Sequence, residues 1–239
     1  MLISTNAIVI SKLKYGDNDL IVKCYTQDYG TQSFLLRGVL KSKKGKVQAA
    51  YFQMLSQLQI VMDYKNNRSL QHIREVKLNH LYSSLHSNVV KSAVAMFLSE
   101  ILSGALQEEE PNETLYSYIE TTLLWFDSYT EYANFHLLFL LNLTKYLGFY
   151  PEVAHLEYEY FNLQDGKFEL KAIDRHTISG DNVTVLKRLL ETTFDILTEV
   201  KISSKQRQSF LNVLLLYYEL HLGNFKKPKS LEILHQVFN

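Results

Sequence analysis

The sequence predicts an α+β chain of more than one domain, with a small five-stranded β-barrel over residues 1–78 and an all-α helical bundle over 79–239. Three observations predict it. Strand-like runs, separated by turn residues, recur at about ten-residue spacing through the first third. After Leu78 the apolar period lengthens from two to three or four. A single alternating segment around Asp165-Gly166 interrupts the helical part and reads as an inserted β-hairpin.

The strands are NAIVISKLKY (6–15), DLIVKCYTQ (19–27), QSFLLRGVL (32–40), FQMLSQLQIVMD (52–63) and SLQHIREVKL (69–78), each rich in Val, Ile, Leu, Tyr or Phe. YGDND (15–19) and DYG (28–30) are compact turns between them. Five short strands in fewer than eighty residues suit a closed or partly closed barrel better than a sandwich, and the natural candidate is OB-fold-like.

The helices follow in order. Val90, Val94, Phe97, Ile101 and Ala105 mark the first, and Leu115, Ile119, Thr122 and Phe126 the second. Phe135, Leu138, Phe139, Leu143 and Tyr146 mark a third, stopped by Lys145 in its last turn, Gly148 and then Pro151. The hairpin YEYFNLQDGKFELK (158–171) comes next. Leu186, Leu189, Phe194 and Leu197 predict one continuous fourth helix. Phe210, Val213, Leu214, Tyr217 and His221 predict a fifth, opened by Ser203 and Gln206 in capping-box spacing, and SLEILHQVF a short last one.

Composition narrows the function. A 46% hydrophobic chain has ample core material, and its 25 Lys+Arg balance 25 Asp+Glu. That neutrality hides an asymmetry: residues 1–78 hold 12 basic against 5 acidic residues, net +7, and the remainder 13 against 20, net −7. An N-terminal third so charged is suited to a polyanion. The one cysteine, Cys24, excludes an internal disulfide and a multi-cysteine zinc site, and its apolar surroundings make it a small hydrophobe. No secretory signal and no run of about 18 apolar residues is present, so the expectation is a soluble intracellular protein without a membrane contact.

Enzyme signatures are absent: no phosphate loop, dinucleotide fingerprint, His-Glu-x-x-His or Gly-x-Ser-x-Gly occurs, so neither a small-molecule substrate nor a catalytic residue is expected. The eight histidines do not fall at ligand spacing, and no metal site is expected. EEEP (108–111) reads as a solvated linker, and Trp125 beside Phe126 as core.

The chemistry lies in the basic third. RGVLKSKKGKVQAAYFQ (37–53) puts five cations into ten residues without an acid. Lys12, Lys14, Lys23, Arg37, Lys41, Lys43, Lys44, Lys46, Lys65 and Arg68 are interleaved with Tyr15, Tyr25, Phe34 and Tyr51. Cations neutralise phosphates and aromatic faces stack on bases, a mixture suited to single-stranded nucleic acid. Phe34 is expected in the core. Tyr15 and Tyr25 join the cations as expected DNA contacts, with the lysine loop holding phosphates without reading bases.

Several stretches resemble the RecO family of bacterial recombination mediators: AIVISKLKYGDNDLIVKCYTQDYGTQSFLLRGVLKSKK, FQMLSQLQIV, FLLNLTKYLGFYPEV and LLLYYELHLGNFKKPKSLEIL, in order along the whole chain. The resemblance implies a non-enzymatic, cytoplasmic, nucleoid-associated protein of DNA repair and recombination. It would bind single- and double-stranded DNA and anneal complementary strands. With RecR it would help load RecA onto DNA coated by the single-strand binding protein SSB, whose acidic tail is a further partner. Two departures stand out. Many members carry a four-cysteine zinc site after the Leu-Gly-x-x-Pro helix, whereas EVAHLEYEYFNLQDGKFEL has no cysteine, so no zinc and no other cofactor is expected. Between Ser92 and Gly166 the only Lys or Arg is Lys145, so the SSB tail would either use later cations such as Lys187 and Arg188 or make a weak contact. The competing reading is a helical adaptor whose basic barrel docks an acidic protein; an unrecognised hydrolase lacks any nucleophile–base arrangement.

Overall fold

The computed structural model describes residues 1–41, 46–106 and 110–238. They form two compact units, one of residues 1–128 with 228–230 and one of 129–227 with 231–239.

The first unit is built on five strands, β1 (Leu2–Tyr15), β2 (Asp19–Thr26), β3 (Gly30–Leu36), β4 (Gln57–Asp63) and β5 (His72–Leu78). They form one antiparallel sheet in the order β3-β2-β1-β4-β5. β1 serves two neighbours, pairing with β4 from Leu2 to Ile8 and with β2 from Ala7 to Tyr15, and a register shift between Val9 and Ser11 marks where it bends. The sheet is open along most of its two edges. They meet at one seam, where the Leu35 N–H donates to the Gln71 carbonyl at 3.1 Å and the Gln71 N–H to the Ser33 carbonyl at 2.7 Å. That parallel contact between Phe34 and Gln71 joins the two edges of the OB-fold-like sheet at this point. Phe34 is fully buried beside Val22, Ile60 and Phe52, as its position in an apolar run predicts. Cys24 lies in the same core, where burial pushes its thiol pKa up.

Four strand ends differ from the sequence reading by three residues or more, and two of these are that β4 starts at Gln57 rather than Phe52 and β5 at His72 rather than Ser69. β1 starts at Leu2 rather than Asn6, because Leu2 to Thr5 find partners in β4. β3 stops at Leu36, and Arg37 to Leu40 turn away instead of continuing the strand.

Helices α1 (Val89–Ala105) and α2 (Glu113–Ser128) complete this unit. α1 is capped by Asn88, whose side chain accepts the Lys91 N–H at 3.1 Å. At the far end of α2 the buried Asp127 accepts the backbone N–H groups of Ser83, Ser84 and Leu85 at 2.7–2.8 Å. Buried Lys91 donates to the Asp127 carbonyl at 2.8 Å and to Ser84 Oγ at 2.7 Å. Hydrophobic period thus changes at residue 78, but packing places the first two helices with the sheet. Period records the local backbone; the grouping is set by which apolar faces meet.

The second unit contains α3 (Phe135–Leu147), α4 (Asp181–Leu190), α5 (Ser204–His221) and α6 (Leu231–Val237). α3 is buried without a break from Phe135 to Leu141, the pattern of a central helix. It ends as predicted, at a left-handed Gly148 with φ 83°. α5 opens with the complete Ser203–Gln206 capping box.

The inserted hairpin is a three-stranded sheet: β6 (Tyr160–Asn162) lies between β7 (Lys167–Glu169) and β8 (Thr177–Ser179). Three residues show too little alternation for β8 to be read from sequence. The continuous fourth helix is also corrected. α4 stops at Leu190, and after Thr192-Thr193 the chain runs on as a short 3-10 segment, Phe194–Glu199. Adjacent β-branched threonines weaken the helix there, and the Thr192 hydroxyl bonds back to the Arg188 carbonyl at 2.5 Å.

Candidate nucleic-acid interface

The β1–β2 turn gathers most of the expected contacts. Lys12, Lys14 and Tyr15 are exposed on the last residues of β1, ahead of the Gly16–Asn18 turn. The start of the basic run docks onto this turn. The Gly38 N–H donates to Asp19 Oδ1 at 2.7 Å, and the Leu40 N–H to the Asn18 carbonyl at 3.0 Å. Those two bonds hold exposed Arg37 and Lys41 at the same end of the sheet as Lys12 and Lys14. Four cations therefore crowd one tip whose acids are Asp17 and Asp19, and Asp19 is already committed to Gly38. Lys43 and Lys44, also expected contacts, lie outside the described residues.

A second cationic group sits on the β4–β5 loop. Lys65 is exposed there, and Arg68 approaches Asp63 with Nη1–Oδ2 at 3.8 Å. Arg74 of β5 approaches the same oxygen at 3.7 Å, so one carboxylate faces two guanidinium groups. Beside them the rings of Tyr29 and Tyr64 lie 4.9 Å apart. The sequence reading singles out none of Arg74, Tyr29 and Tyr64. The only signal for Arg74 is the charge excess, and the tyrosines meet because the β2–β3 turn folds back onto the end of β4. In five-stranded barrels of this topology the turn between strands 1 and 2 and the loop between 4 and 5 flank the oligonucleotide face.

Three expected contacts are placed otherwise. Tyr25 is corrected: it is 3% exposed, its ring stacks at 6.2 Å on Tyr116, and its hydroxyl donates to the Asn112 carbonyl at 3.3 Å. Burial pushes its pKa up to about 12, and no face is left for a base. Lys23 is half-buried and donates to the Ser103 carbonyl at 2.9 Å, closing the C-terminal end of α1; burial lowers its pKa. It is a helix-end partner rather than a free cation. Both residues sit on strand positions that a single-sheet reading leaves exposed and that α1 and α2 cover. Lys46 is exposed but pairs with Glu75, whose pKa that hydrogen bond lowers. Tyr51 packs against the barrel core.

The region where a zinc site would fall is filled by hydrogen bonds. Asn162 Oδ1 accepts the N–H groups of Gln164 and Asp165 at 2.9 and 3.2 Å. Its Nδ2 donates to Glu169 and Asp174 at 3.3 Å. His176 Nδ1 meets Gln164 Oε1 at 3.2 Å. No three His, Cys, Asp or Glu side chains among the described residues converge in a way that could hold a metal. The polar side chains here include no thiolate and spend their hydrogen bonds on one another.

The cations considered for an acidic peptide are also engaged. Lys187 donates to the Tyr158 carbonyl at 2.7 Å, Arg188 to the Lys201 carbonyl at 3.3 Å, and Lys145 lies 4.5 Å over the Tyr150 ring. No helix among the described residues is long and apolar enough to cross a membrane.

Residues 1–82 match the family model described as Recombination protein O N terminal, and residues 86–232 the one described as Recombination protein O C terminal. The chain belongs to the RecO family. It is 49% identical over 238 residues to the DNA repair protein RecO of Christiangramia forsetii, with 100% of both chains covered. It is 43% identical to that of Flavobacterium johnsoniae and 35% to that of Bacteroides fragilis, again over the full length of each chain. This places it among the DNA repair and recombination proteins. The division of the RecO models near residue 84 follows the change from strands to helices.

Proposed function

We propose that the chain binds single- and double-stranded DNA through the β1–β2 turn and anneals complementary strands without nucleotide hydrolysis. Together with RecR it helps load RecA onto SSB-coated DNA. The observation that carries this reading is the convergence of Lys12, Lys14, Arg37 and Lys41 at one tip, held by the bonds from Gly38 and Leu40. A cationic tip relieves the repulsion between two phosphate backbones, which is what opposes pairing. RecR and the SSB tail enter through family membership, as does action in the cytoplasm at the nucleoid. The β6–β8 sheet is taken to need no metal, since Asn162 ties it together.

The test is a binding titration with single-stranded DNA across a salt series. Replacing Lys12, Lys14, Arg37 and Lys41 with alanine should reduce the log–log salt slope by roughly 0.7 for each phosphate no longer neutralised. Affinity for all sequences should fall alike, and annealing should slow. A slope unchanged in this variant would move the interface away from the turn. Wild-type protein that fails to bind DNA but captures an acidic protein would favour the adaptor reading.

A further inference from the structure

The two faces of the β1–β2 ribbon differ in chemistry. Lys12 pairs with Val22 and Lys14 with Leu20, so the two lysines share one face. Leu13 pairs with Ile21 and Tyr15 with Asp19, so these side chains share the other. On that second face Ser11 pairs with Lys23, which α1 covers through the Ser103 carbonyl, but farther along the ribbon Leu13 is 64% exposed and Tyr15 54%. Leu40, fixed to Asn18, adds a further apolar side chain, 41% exposed, at the same tip. Large apolar side chains this exposed, beside a cationic face on a turn locked by hydrogen bonds, form a preorganised surface with two unlike requirements.

A phosphate backbone satisfies the lysine face, and a flat apolar surface satisfies the other. A continuous duplex offers only the first, because its base-pair faces are stacked on one another. A single strand offers bases but no preformed base-pair plane. A single-strand–double-strand junction offers both side by side. We propose that the ribbon recognises such junctions, with Lys12 and Lys14 along the backbone of the unpaired strand and Leu13 and Tyr15 against the terminal base pair. This rests on the DNA-binding reading given above and adds what the ribbon selects. Apolar side chains set against base faces are an established way for proteins to engage unstacked steps of a duplex.

The test compares the full chain on three DNAs: a single strand, a covalently closed duplex circle that exposes no terminal base pair, and a junction carrying 2-aminopurine at the terminal paired position. Wild-type protein should bind the junction roughly tenfold more tightly than the single strand, the scale of one base-stacking contact. It should also change the 2-aminopurine fluorescence. Leu13→Ser, at an exposed position outside the core, should abolish that preference and the fluorescence change while single-strand affinity shifts less than about twofold. Tyr15→Ser should also lose the preference, with some loss on single strands. Lys12→Ala with Lys14→Ala should weaken all three DNAs together. Equal wild-type affinity for junction and single strand would overturn the proposal, as would a Leu13→Ser protein that keeps the preference; the apolar face would then belong to a protein contact. Absence of binding to any of the three DNAs would instead overturn the DNA-binding reading itself.

Discussion

Asp127 is a buried carboxylate whose acceptor capacity is filled from one side by the N–H groups of Ser83, Ser84 and Leu85. Burial alone would raise its pKa, but those bonds, with the Ser83 hydroxyl, outweigh burial and hold it at about 2. A carboxyl depressed in the folded state contributes stability that is fully present above its ordinary pKa near 4. That contribution is lost as pH falls towards 2, and amounts to roughly 2 kcal/mol. Resistance to urea should therefore fall between about pH 4 and pH 2 in the wild type, and much less in Asp127→Asn. At neutral pH the same variant should lose about 3 kcal/mol, because an amide can accept fewer of these bonds and leaves Lys91 without its neighbouring charge. No sequence pattern announces this cluster: Asp127 reads as an ordinary polar residue at a helix end, and its partners lie more than forty positions upstream.

At the scale of elements, turns carry the sharpest expectations. Gly166 has φ 68°, and a Cβ added there would lie 2.7 Å from the Tyr217 hydroxyl, which itself donates to the Phe149 carbonyl at 2.7 Å. Gly148 has φ 83° but open space around it. Both alanine variants suffer the left-handed backbone, about 1 kcal/mol, whereas Gly166→Ala must also displace Tyr217 and should cost at least twice as much in thermal or denaturant unfolding. Ser203→Ala should remove one half of the capping box and cost about 1 kcal/mol in the same assay. These elements also show what sequence reveals. The Ser203 box, the Gly148 stop and the core position of Phe34 are local or periodic signals, and they are legible. The covering of Lys23 and Tyr25 depends on helices more than seventy residues away, and the approach of Arg74 to Asp63 needs an irregular β4–β5 pairing. Such facts belong to tertiary packing and leave no trace in residue spacing.

Across the whole molecule, formal charge is zero, so no net field draws the chain towards DNA. On the proposed reading, attraction comes from the local grouping at the β1–β2 turn and the β4–β5 loop. Charge reversal elsewhere should therefore matter little. Lys226→Glu with Lys227→Glu alters two exposed positions of the second unit and shifts net charge by about four, yet the salt slope for single-stranded DNA should move by less than about one-half. A large change in slope would show that DNA also tracks over the second unit. The acid-rich composition after residue 78 makes that part of the chain a poor place for a second backbone.

Gln71 joins two of these places. Its main chain stitches β3 to the start of β5, while its buried side chain binds the carbonyls of Lys65 and Arg68 at 2.8 and 2.9 Å and accepts the Lys65 N–H at 3.1 Å. The clasp of the barrel and the frame of its cationic loop are thus the same residue. A phosphate that steadies Arg68 also steadies the clasp, and the amide protons of Leu35 and Gln71 should exchange with solvent more slowly when DNA is held there. The barrel's fastening would then double as a gauge of whether its loop is loaded.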